Sequence, residues 1–236
     1  IRVPWYFIKI HHKRKKGRQI AMIRVVCVLI GYIFGLFQTS YIYGKMKGID
    51  IRKHGSGNAG TTNTLRVMGK KAGAIVLFCD IMKTGLAMTL VRFLFKNTYG
   101  DILPLLALYT GAGAILGHNF PFYLHFKGGK GIACTAGLII FFHPYMILPE
   151  VITFFGTFFL THYVSLGSLL VQIVLIAEMI IFGQMGLFGM SQGALIELYI
   201  VTALLAMLAF WEHRANIGRL IHKTERKTYL SKKNEE

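Results

Sequence analysis

The chain has 236 residues, of which 54% are hydrophobic and only 16% are charged, and its mean hydropathy is +0.51. This composition excludes an ordinary water-soluble domain and indicates an integral membrane protein. Lys and Arg number 27 against 10 Asp and Glu, a net charge of +17 at pH 7. That excess fits anionic lipid headgroups, phosphorylated small molecules or nucleic acid, and it argues against a cationic substrate.

The three cysteines lie far apart in the chain. Their spacing suggests neither a disulfide framework nor a zinc site, and no other ligand cluster suggests a metal. We interpret all three as small core residues.

The apolar segments predict an all-α integral membrane protein, a bundle of about seven transmembrane helices joined by polar, Gly-rich cytoplasmic loops. A helix needs about 20 mostly apolar residues to cross a bilayer, or fewer within a bundle. The divisions near Pro149 and Ser165 depend on single Pro, Gly or Ser residues, so five or six spans are the alternative. The predicted spans are residues 20–43, 72–95, 102–117, 131–148, 151–164, 165–183 and 193–211.

The positions of the basic residues predict the topology, because short loops rich in Lys and Arg stay in the cytoplasm. Seven spans place the basic loops after the first and third spans on the same side as the basic tail. Residues 1–21 contradict this pattern, since they are strongly basic but would lie outside. We therefore predict that residues 1–21 are an N-terminal extension outside the working fold. Residues 22–226 would form the membrane domain, and 227–236 a solvated charged tail.

The first polar segment, residues 54–66, reads His-Gly-Ser-Gly-Asn-Ala-Gly-Thr-Thr-Asn-Thr-Leu-Arg. Its glycines let backbone N–H groups turn toward an anion, while Ser56 and Asn58 add neutral donors and Arg66 adds a planar cationic fork. A phosphate would fit such a loop, and a flexible connector is the alternative. The spacing does not match the GxxxxGK[ST] loop of nucleotide-binding proteins.

The second polar segment, residues 117–131, ends in two lysines that flank two glycines at the start of the next helix. The flexible lysine side chains, the exposed backbone N–H groups and the positive end of the helix dipole would lie together at this point. This combination predicts an anion-binding site. A basic loop that holds lipid headgroups is the alternative. His118 is a candidate general base or donor to a phosphate oxygen, and a helix cap is the alternative. The predicted anion site consists of Lys127, Gly128, Gly129, Lys130 and Gly131.

The third polar segment, residues 212–225, follows the last span. On a helix, Asn216 shares a face with His213 and with Arg219, so these groups could point back toward the other two segments. A solvated basic tail is the alternative.

Two charged residues, Asp80 and Lys83, stand three positions apart inside an otherwise apolar span. Charges inside a membrane are usually paired or functional. A structural ion pair that supports the basic loops and a direct substrate contact are equally open. Glu178 and Glu197 lie in later spans without a partner that the sequence identifies.

These segments closely resemble the cytoplasmic motifs of the bacterial acyl-phosphate:glycerol-3-phosphate acyltransferases, the PlsY-type membrane enzymes. Asp80-Ile-Met-Lys-Thr-Gly85 is similar to that family's second helix, and Lys223 departs from the family where Gly often precedes Thr-Glu. The resemblance covers most of residues 22–226. The matching runs are Ser56-Gly-Asn-Ala-Gly-Thr-Thr-Asn-Thr-Leu-Arg66, Gly117-His-Asn-Phe-Pro, Phe126-Lys-Gly-Gly-Lys-Gly131, His213-Arg-Ala-Asn-Ile-Gly-Arg-Leu and Thr224-Glu225.

The resemblance implies a seven-helix enzyme that transfers a fatty acyl group from acyl phosphate to glycerol 3-phosphate. The products would be lysophosphatidic acid and phosphate, as a step of phospholipid synthesis in the cell inner membrane, with the active site on the cytoplasmic face. An acyl phosphate is a mixed anhydride with a good leaving group, so we expect direct transfer without a covalent intermediate. No cofactor is expected.

On this reading, Ser56, Asn58 and Arg66 bind glycerol 3-phosphate, and Ser56 is a less favoured nucleophile. Lys127 through Gly131 hold a phosphate and neutralise the leaving group. His118 is the candidate general base, with the substrate phosphate as the second choice. Asn216 and His213 complete the acceptor pocket. The supporting residues are Asp80, Lys83, Arg219 and Glu225.

The expected partners are the two substrates and the surrounding membrane lipids, with no nucleic acid and a monomeric assembly. A transporter for an organic phosphate is the leading alternative, but the two halves of the chain show no evident repeat. A structural lipid-binding protein is a third option, and it would not need two separate Gly-rich anion loops.

Overall fold

The structure is a computed structural model that describes residues 5–229, with side chains from residue 17 onward. This part of the chain forms ten α-helices and contains no strand, which confirms the predicted all-α class. The helices are α1 (Trp5–Gly35), α2 (Thr39–Met46), α3 (Thr61–Met68), α4 (Lys70–Phe95), α5 (Leu103–Asn119), α6 (Ile132–Phe142), α7 (Ile147–Thr161), α8 (Val164–Gln184), α9 (Gln192–Glu212) and α10 (Arg214–Ile221).

Six segments of the described chain are long and apolar enough to cross a membrane, and α6 is a shorter apolar helix between two of them. With 11 residues, α6 extends about 16 Å, which is less than the hydrocarbon thickness of about 30 Å. Arg92 of α4 donates hydrogen bonds to the carbonyl oxygens of Phe141 and Phe142. The last carbonyl groups of α6 therefore have hydrogen-bond donors inside the bundle, which allows this helix to end before it has crossed the full thickness of the membrane.

The predicted helix boundary near Pro149 is wrong by several residues, whereas the boundary near Ser165 agrees with the start of α8 at Val164. The chain breaks at His143, and Pro149 lies in the first turn of α7, where a missing N–H costs nothing. The next break falls at His162, which adopts a left-handed conformation with φ of 60°, and Ser165 already belongs to α8.

The predicted first span is interrupted between α1 and α2. The buried side-chain amide of Gln38 donates to the carbonyl oxygens of Gly35, Gly117 and His118. Gln38 thereby fixes this break against the C-terminal end of α5.

Close backbone contact joins α1 to α5 at two small residues of α5, Gly113 and Gly117. A Cβ atom on Gly113 would lie 2.1 Å from the carbonyl oxygen of Val28, and one on Gly117 would lie 2.2 Å from that of Tyr32. A side chain at either position would push the two helices apart.

The connections fall into two groups at opposite ends of the bundle. One end, called the motif face below, gathers the α2–α4 region, the α5–α6 loop, the α7–α8 turn, α10 and the C-terminal residues. At the other end, called the far face, Phe142 and His143 contact the ring of Phe188 in the α8–α9 loop. Arg18 of α1 lies in a surface groove beside Tyr99, also at the far face.

The predicted N-terminal extension and C-terminal tail lie partly outside the described residues, which exclude 1–4 and 230–236. Residues 5–21 continue α1 without a break. The assignment of residues 1–21 to an extension outside the working fold stays a prediction.

The intramembrane glutamates have neighbours that the sequence did not reveal. Glu197 of α9 pairs with Arg24 of α1 and accepts a hydrogen bond of 2.7 Å from the hydroxyl of Tyr109. Glu150 of α7 and Glu178 of α8 are both buried, on two helices that pack against each other.

Candidate active site

The first polar segment is a loop that enters α3, and one amide side chain holds it in shape. Asn63 is 2% exposed; its Oδ1 accepts a hydrogen bond of 2.8 Å from the backbone N–H of Ser56. Its Nδ2 donates to the carbonyl oxygens of Ile51 and His54. Gly55 and Gly57 adopt positive φ values of 58° and 73°, which glycine tolerates. Asn63 thus orders the loop that carries the predicted phosphate ligands.

The predicted ligands of this segment differ in exposure. Ser56 is exposed, whereas Asn58 and Arg66 are partly buried. Arg66 Nη2 donates to the hydroxyl of Thr228 at 2.7 Å and to the carbonyl oxygen of Arg226 at 3.2 Å. Residues near the C-terminus therefore contact the first segment directly.

The second polar segment folds back onto the end of α5. The backbone N–H of Gly128 donates to Asn119 O, and that of Gly129 to His118 O, both at 3.1 Å. A Cβ atom on Gly129 would lie 2.0 Å from Nε2 of His118, so the loop and the ring fit together only with glycine at this position. Gly131, with φ of 78°, then turns the chain into α6.

His118 lies at the end of a fully buried polar chain. The Lys83 ammonium has three N–H groups and three acceptors: Asp80 Oδ1 at 2.8 Å, Phe37 O at 2.8 Å and His118 Nδ1 at 2.9 Å. None of Asp80, Lys83 and His118 is more than 5% exposed. Because Nδ1 of His118 accepts from Lys83, the ring proton lies on Nε2.

This geometry favours one of the two roles open to His118 and one of those open to the ion pair. A ring with one nitrogen occupied and the other protonated is a donor, not a general base. Asp80 and Lys83 pair with each other, and Lys83 also binds Phe37 just after the end of α1 and His118 at the end of α5, as expected of a structural ion pair. Both side chains are too deeply buried to contact bulk water.

The third polar segment meets the second through Lys130. The Lys130 ammonium donates to Oδ1 of Asn216 on α10. Nδ2 of Asn216 donates to Glu225 Oε1 at 2.6 Å, and Arg219 donates to Glu225 Oε2 at 2.7 Å. The Ser165 hydroxyl of α8 also donates to Glu225, at 2.9 Å. Glu225 is therefore the acceptor that fixes the whole group.

The pKa values of this group follow from its burial. Burial, helped by the positive charge of Arg219, lowers the pKa of Lys130 to about 8. Burial, helped by Lys130, lowers the pKa of His213 to about 4, and its Nδ1–H donates to Ala209 O at 2.8 Å. Burial raises the pKa of Glu225, but hydrogen bonds led by that from Asn216 outweigh it and hold the pKa below its usual value.

Pairwise contacts link all three polar segments. Gly128 O accepts a long hydrogen bond of 3.4 Å from Ala59 N, which joins the first segment to the second. Lys130 and Asn216 join the second to the third, and Arg66 reaches the residues that follow the third. The structure therefore brings most of the predicted site residues to one region of the motif face. Lys127 is exposed at the edge of this region.

Several residues that build the site were not predicted from the sequence. Gln38 and Thr228 make hydrogen bonds between segments that are distant along the chain, and Asn63 orders the first polar segment through local hydrogen bonds. Asn63 stands inside the first segment, but nothing in its sequence context distinguishes a loop-ordering amide from a substrate ligand. Lys223 keeps the turn before Thr224 although it is not glycine, with φ of 58°.

Comparison with known proteins gives a consistent result. A family model described as glycerol-3-phosphate acyltransferase matches residues 25–223. The chain is 39% identical over 208 residues to a glycerol-3-phosphate acyltransferase 2 of Bacillus cereus, covering 87% of this chain and 95% of the relative. It is 40% identical over 210 residues to glycerol-3-phosphate acyltransferase of Bacillus subtilis, covering 87% and 98%.

The fold is also similar to crystal structures of PlsY, an integral membrane glycerol 3-phosphate acyltransferase. The glycerol 3-phosphate form matches with a TM-score of 0.74 and 28% identity, covering 87% of this chain and 96% of that chain. The lysophosphatidic acid form matches with a TM-score of 0.71 at the same identity, covering 88% and 96%.

Proposed function

The chain belongs to the glycerol-3-phosphate acyltransferase family, and from this membership we propose that it transfers a fatty acyl group from acyl phosphate to glycerol 3-phosphate. The products are lysophosphatidic acid and inorganic phosphate. The observation that carries the proposal is the meeting of Arg66, Lys130 and Asn216 at one face of a membrane bundle. Two phosphate-bearing reactants need such a cluster of cations and neutral donors.

The three polar segments divide the binding of the two substrates. Arg66, with Ser56 and Asn58 of the ordered loop, binds the phosphate of glycerol 3-phosphate. Lys130 and Gly131 at the start of α6 hold the phosphate of the donor, where the helix dipole favours an anion. Gly128 and Gly129 shape this loop instead, because their N–H groups already donate to Asn119 O and His118 O. Asn216 and His213 border the acceptor pocket, and Arg219 and Glu225 orient Asn216.

The reaction is a direct displacement at the acyl carbonyl carbon. The acceptor hydroxyl oxygen forms a bond to that carbon, and the bond from the carbon to the bridging phosphate oxygen breaks. The electron pair leaves with inorganic phosphate, which also takes the hydroxyl proton. Lys130 neutralises the charge that develops on the leaving group.

His118 acts in this scheme as a support. Its ring lies under Gly129 and binds Lys83, so it holds the donor-phosphate loop in place. The leaving phosphate, the second choice at the sequence level, is therefore the preferred proton acceptor.

We place the motif face in the cytoplasm and the acyl chain among the helices of an inner membrane. The basic residues of the three polar segments lie on that face, in agreement with the distribution of Lys and Arg in membrane proteins. The far face has fewer basic residues in its short connections.

The experiment is an acyl-transfer assay with protein purified in detergent. Acyl phosphate and labelled glycerol 3-phosphate should give labelled lysophosphatidic acid with stoichiometric phosphate release. Acyl-CoA and acyl carrier protein thioesters serve as donor controls and should be inactive. Transfer only from a thioester would refute the donor, and accumulation of glycerol 3-phosphate in vesicles without product would indicate a transporter. An acyl group trapped on Ser56 would refute direct transfer.

A further inference from the structure

The end of the third polar segment and the residues that follow it form no helix, yet Glu225 and Thr228 are buried there. Residues 225–229, called the strap below, cross the motif face from α10 to the first polar segment. Thr228 is 0% exposed and Glu225 is 9% exposed. A segment without helical hydrogen bonds that buries two of its side chains in this way is held by specific contacts.

One side of the strap is fixed to the turn between α7 and α8. The backbone N–H of Thr228 donates to the carbonyl oxygen of His162 at 2.9 Å. The rings of Tyr229 and His162 lie 4.7 Å apart, and the Lys227 ammonium lies 5.8 Å from the centre of the Tyr163 ring. These contacts set the position of the strap independently of the first polar segment.

The other side of the strap holds Arg66. Both contacts of its guanidinium use Nη2, one to the Thr228 hydroxyl and one to the Arg226 carbonyl oxygen. Among the side chains described, from residue 17 to 229, Nη1 and Nε have no hydrogen-bond partner and are left for a phosphate. A guanidinium held at one nitrogen loses less freedom when a ligand binds at the others.

We propose that Thr228 is a positioning residue that holds Arg66 in the orientation that binds the acceptor phosphate. The proposal rests on the proposed function in one respect, the assignment of Arg66 to glycerol 3-phosphate. The strap then links the acceptor site to the donor site, because Glu225 at its start fixes Asn216, which binds Lys130.

The first test compares Thr228→Val with Thr228→Ser and Thr224→Val. Valine keeps the shape and the backbone N–H but removes the hydroxyl acceptor, whereas serine keeps it. Thr224 is an exposed matched control, with a hydroxyl contact of 3.5 Å to the Arg219 carbonyl oxygen. We expect Thr228→Val to raise KM for glycerol 3-phosphate about tenfold with little change in kcat, since a hydrogen bond to a charged group is lost. Thr228→Ser should restore KM.

A double-mutant cycle separates positioning from general destabilisation. In an Arg66→Gln background, Thr228→Val should have almost no further effect on KM, because the group that it positions is gone. An equal KM effect in both backgrounds, or a KM unchanged in Thr228→Val, would overturn the proposal.

A trypsin assay tests the strap without any catalytic readout. Arg226 and Lys227 are cleavage sites inside the strap, and mass spectrometry distinguishes cleavage there from cleavage elsewhere. Thr228→Val and Arg66→Gln should both be cleaved there faster than wild type and Thr224→Val. The two proposals fail on different results. A wild type that transfers no acyl group would refute the proposed function. Equal cleavage at Arg226 and Lys227 in all four proteins would refute the contact between Arg66 and the strap.

Discussion

The bundle contains two groups of buried ionisable side chains, one around Lys83 and one formed by Glu150 and Glu178. The two groups differ in the polar partners that surround them. Each N–H of Lys83 has an acceptor, and the group is attached to two loops of the motif face. None of the four carboxyl oxygens of Glu150 and Glu178 has a hydrogen-bond partner within the described residues. Burial of charge is costly in both places, but only the first group is organised to position a site.

Ion pairing and attachment to the motif-face loops, rather than burial, therefore identify the charges on which the site depends. Removal of one partner from the Lys83 group leaves an uncompensated buried charge and frees a catalytic loop. Neutral replacement of Glu150 and Glu178 removes two buried carboxyl groups without hydrogen-bond partners and disturbs no loop of the motif face. Four measurements test this contrast.

The largest effect is expected where the Lys83 group meets the second polar segment. Gly129→Ala places a Cβ atom 2.0 Å from His118 Nε2, so the loop must shift away from the ring. A displacement of about 1 Å at a reacting group can cost about a hundredfold in rate, and we expect a loss of that size in kcat/KM. Gly100→Ala, with no atom within 4 Å of the added methyl group, is the control. Full activity in Gly129→Ala would show that His118 does not support the loop.

The next effect is on stability. Lys83→Met should destabilise the protein by about 3–5 kcal/mol because Asp80 is left buried without its cation. Thermal unfolding in detergent measures the change, and Lys96→Met, at an exposed far-face lysine, is the control. An additional Asp80→Asn change should recover part of the loss. If Lys83→Met unfolds like Lys96→Met, the pair is not structural.

A smaller effect concerns pH. The pKa of Lys130 is lowered to about 8, so its ammonium is charged below that value and loses its charge as the pH rises through it. We expect kcat/KM to fall above pH 8, approaching about tenfold per pH unit. Lys130→Arg, which stays charged, should move the decline to higher pH, while Lys47→Arg should leave it in place. A decline unaffected by Lys130→Arg would assign it to another group.

The smallest effect is expected in the other buried group. The Glu150→Gln, Glu178→Gln double variant should change the free energy of unfolding by less than about 1 kcal/mol, because neutral amides of similar shape replace two carboxyl groups without fixed partners. The same unfolding assay measures it. A loss as large as that of Lys83→Met would remove the contrast between the two groups.

The sequence was sufficient to predict the helical membrane class, the gathering of the three polar segments on one face and the family. The length of an apolar run and the distribution of Lys and Arg reflect constraints that the bilayer imposes on every membrane protein, so they can be interpreted without knowing how the helices pack. The small-residue contact of Gly113 and Gly117 was also predictable, since both glycines lie on one helix face. The break near Pro149 was misplaced, because a proline in the first turn of a helix and one outside it look alike in sequence.

Partnerships over long chain separations were decided by the tertiary structure alone. Glu197 meets Arg24 from 173 positions away, and Arg66 meets Thr228 from 162 positions away. The proton position on His118 was likewise open until Lys83 was placed against Nδ1. Composition and periodicity describe neighbours along one helix, whereas these bonds depend on which helices pack together and at what height, and that is set by the fit of whole helix surfaces.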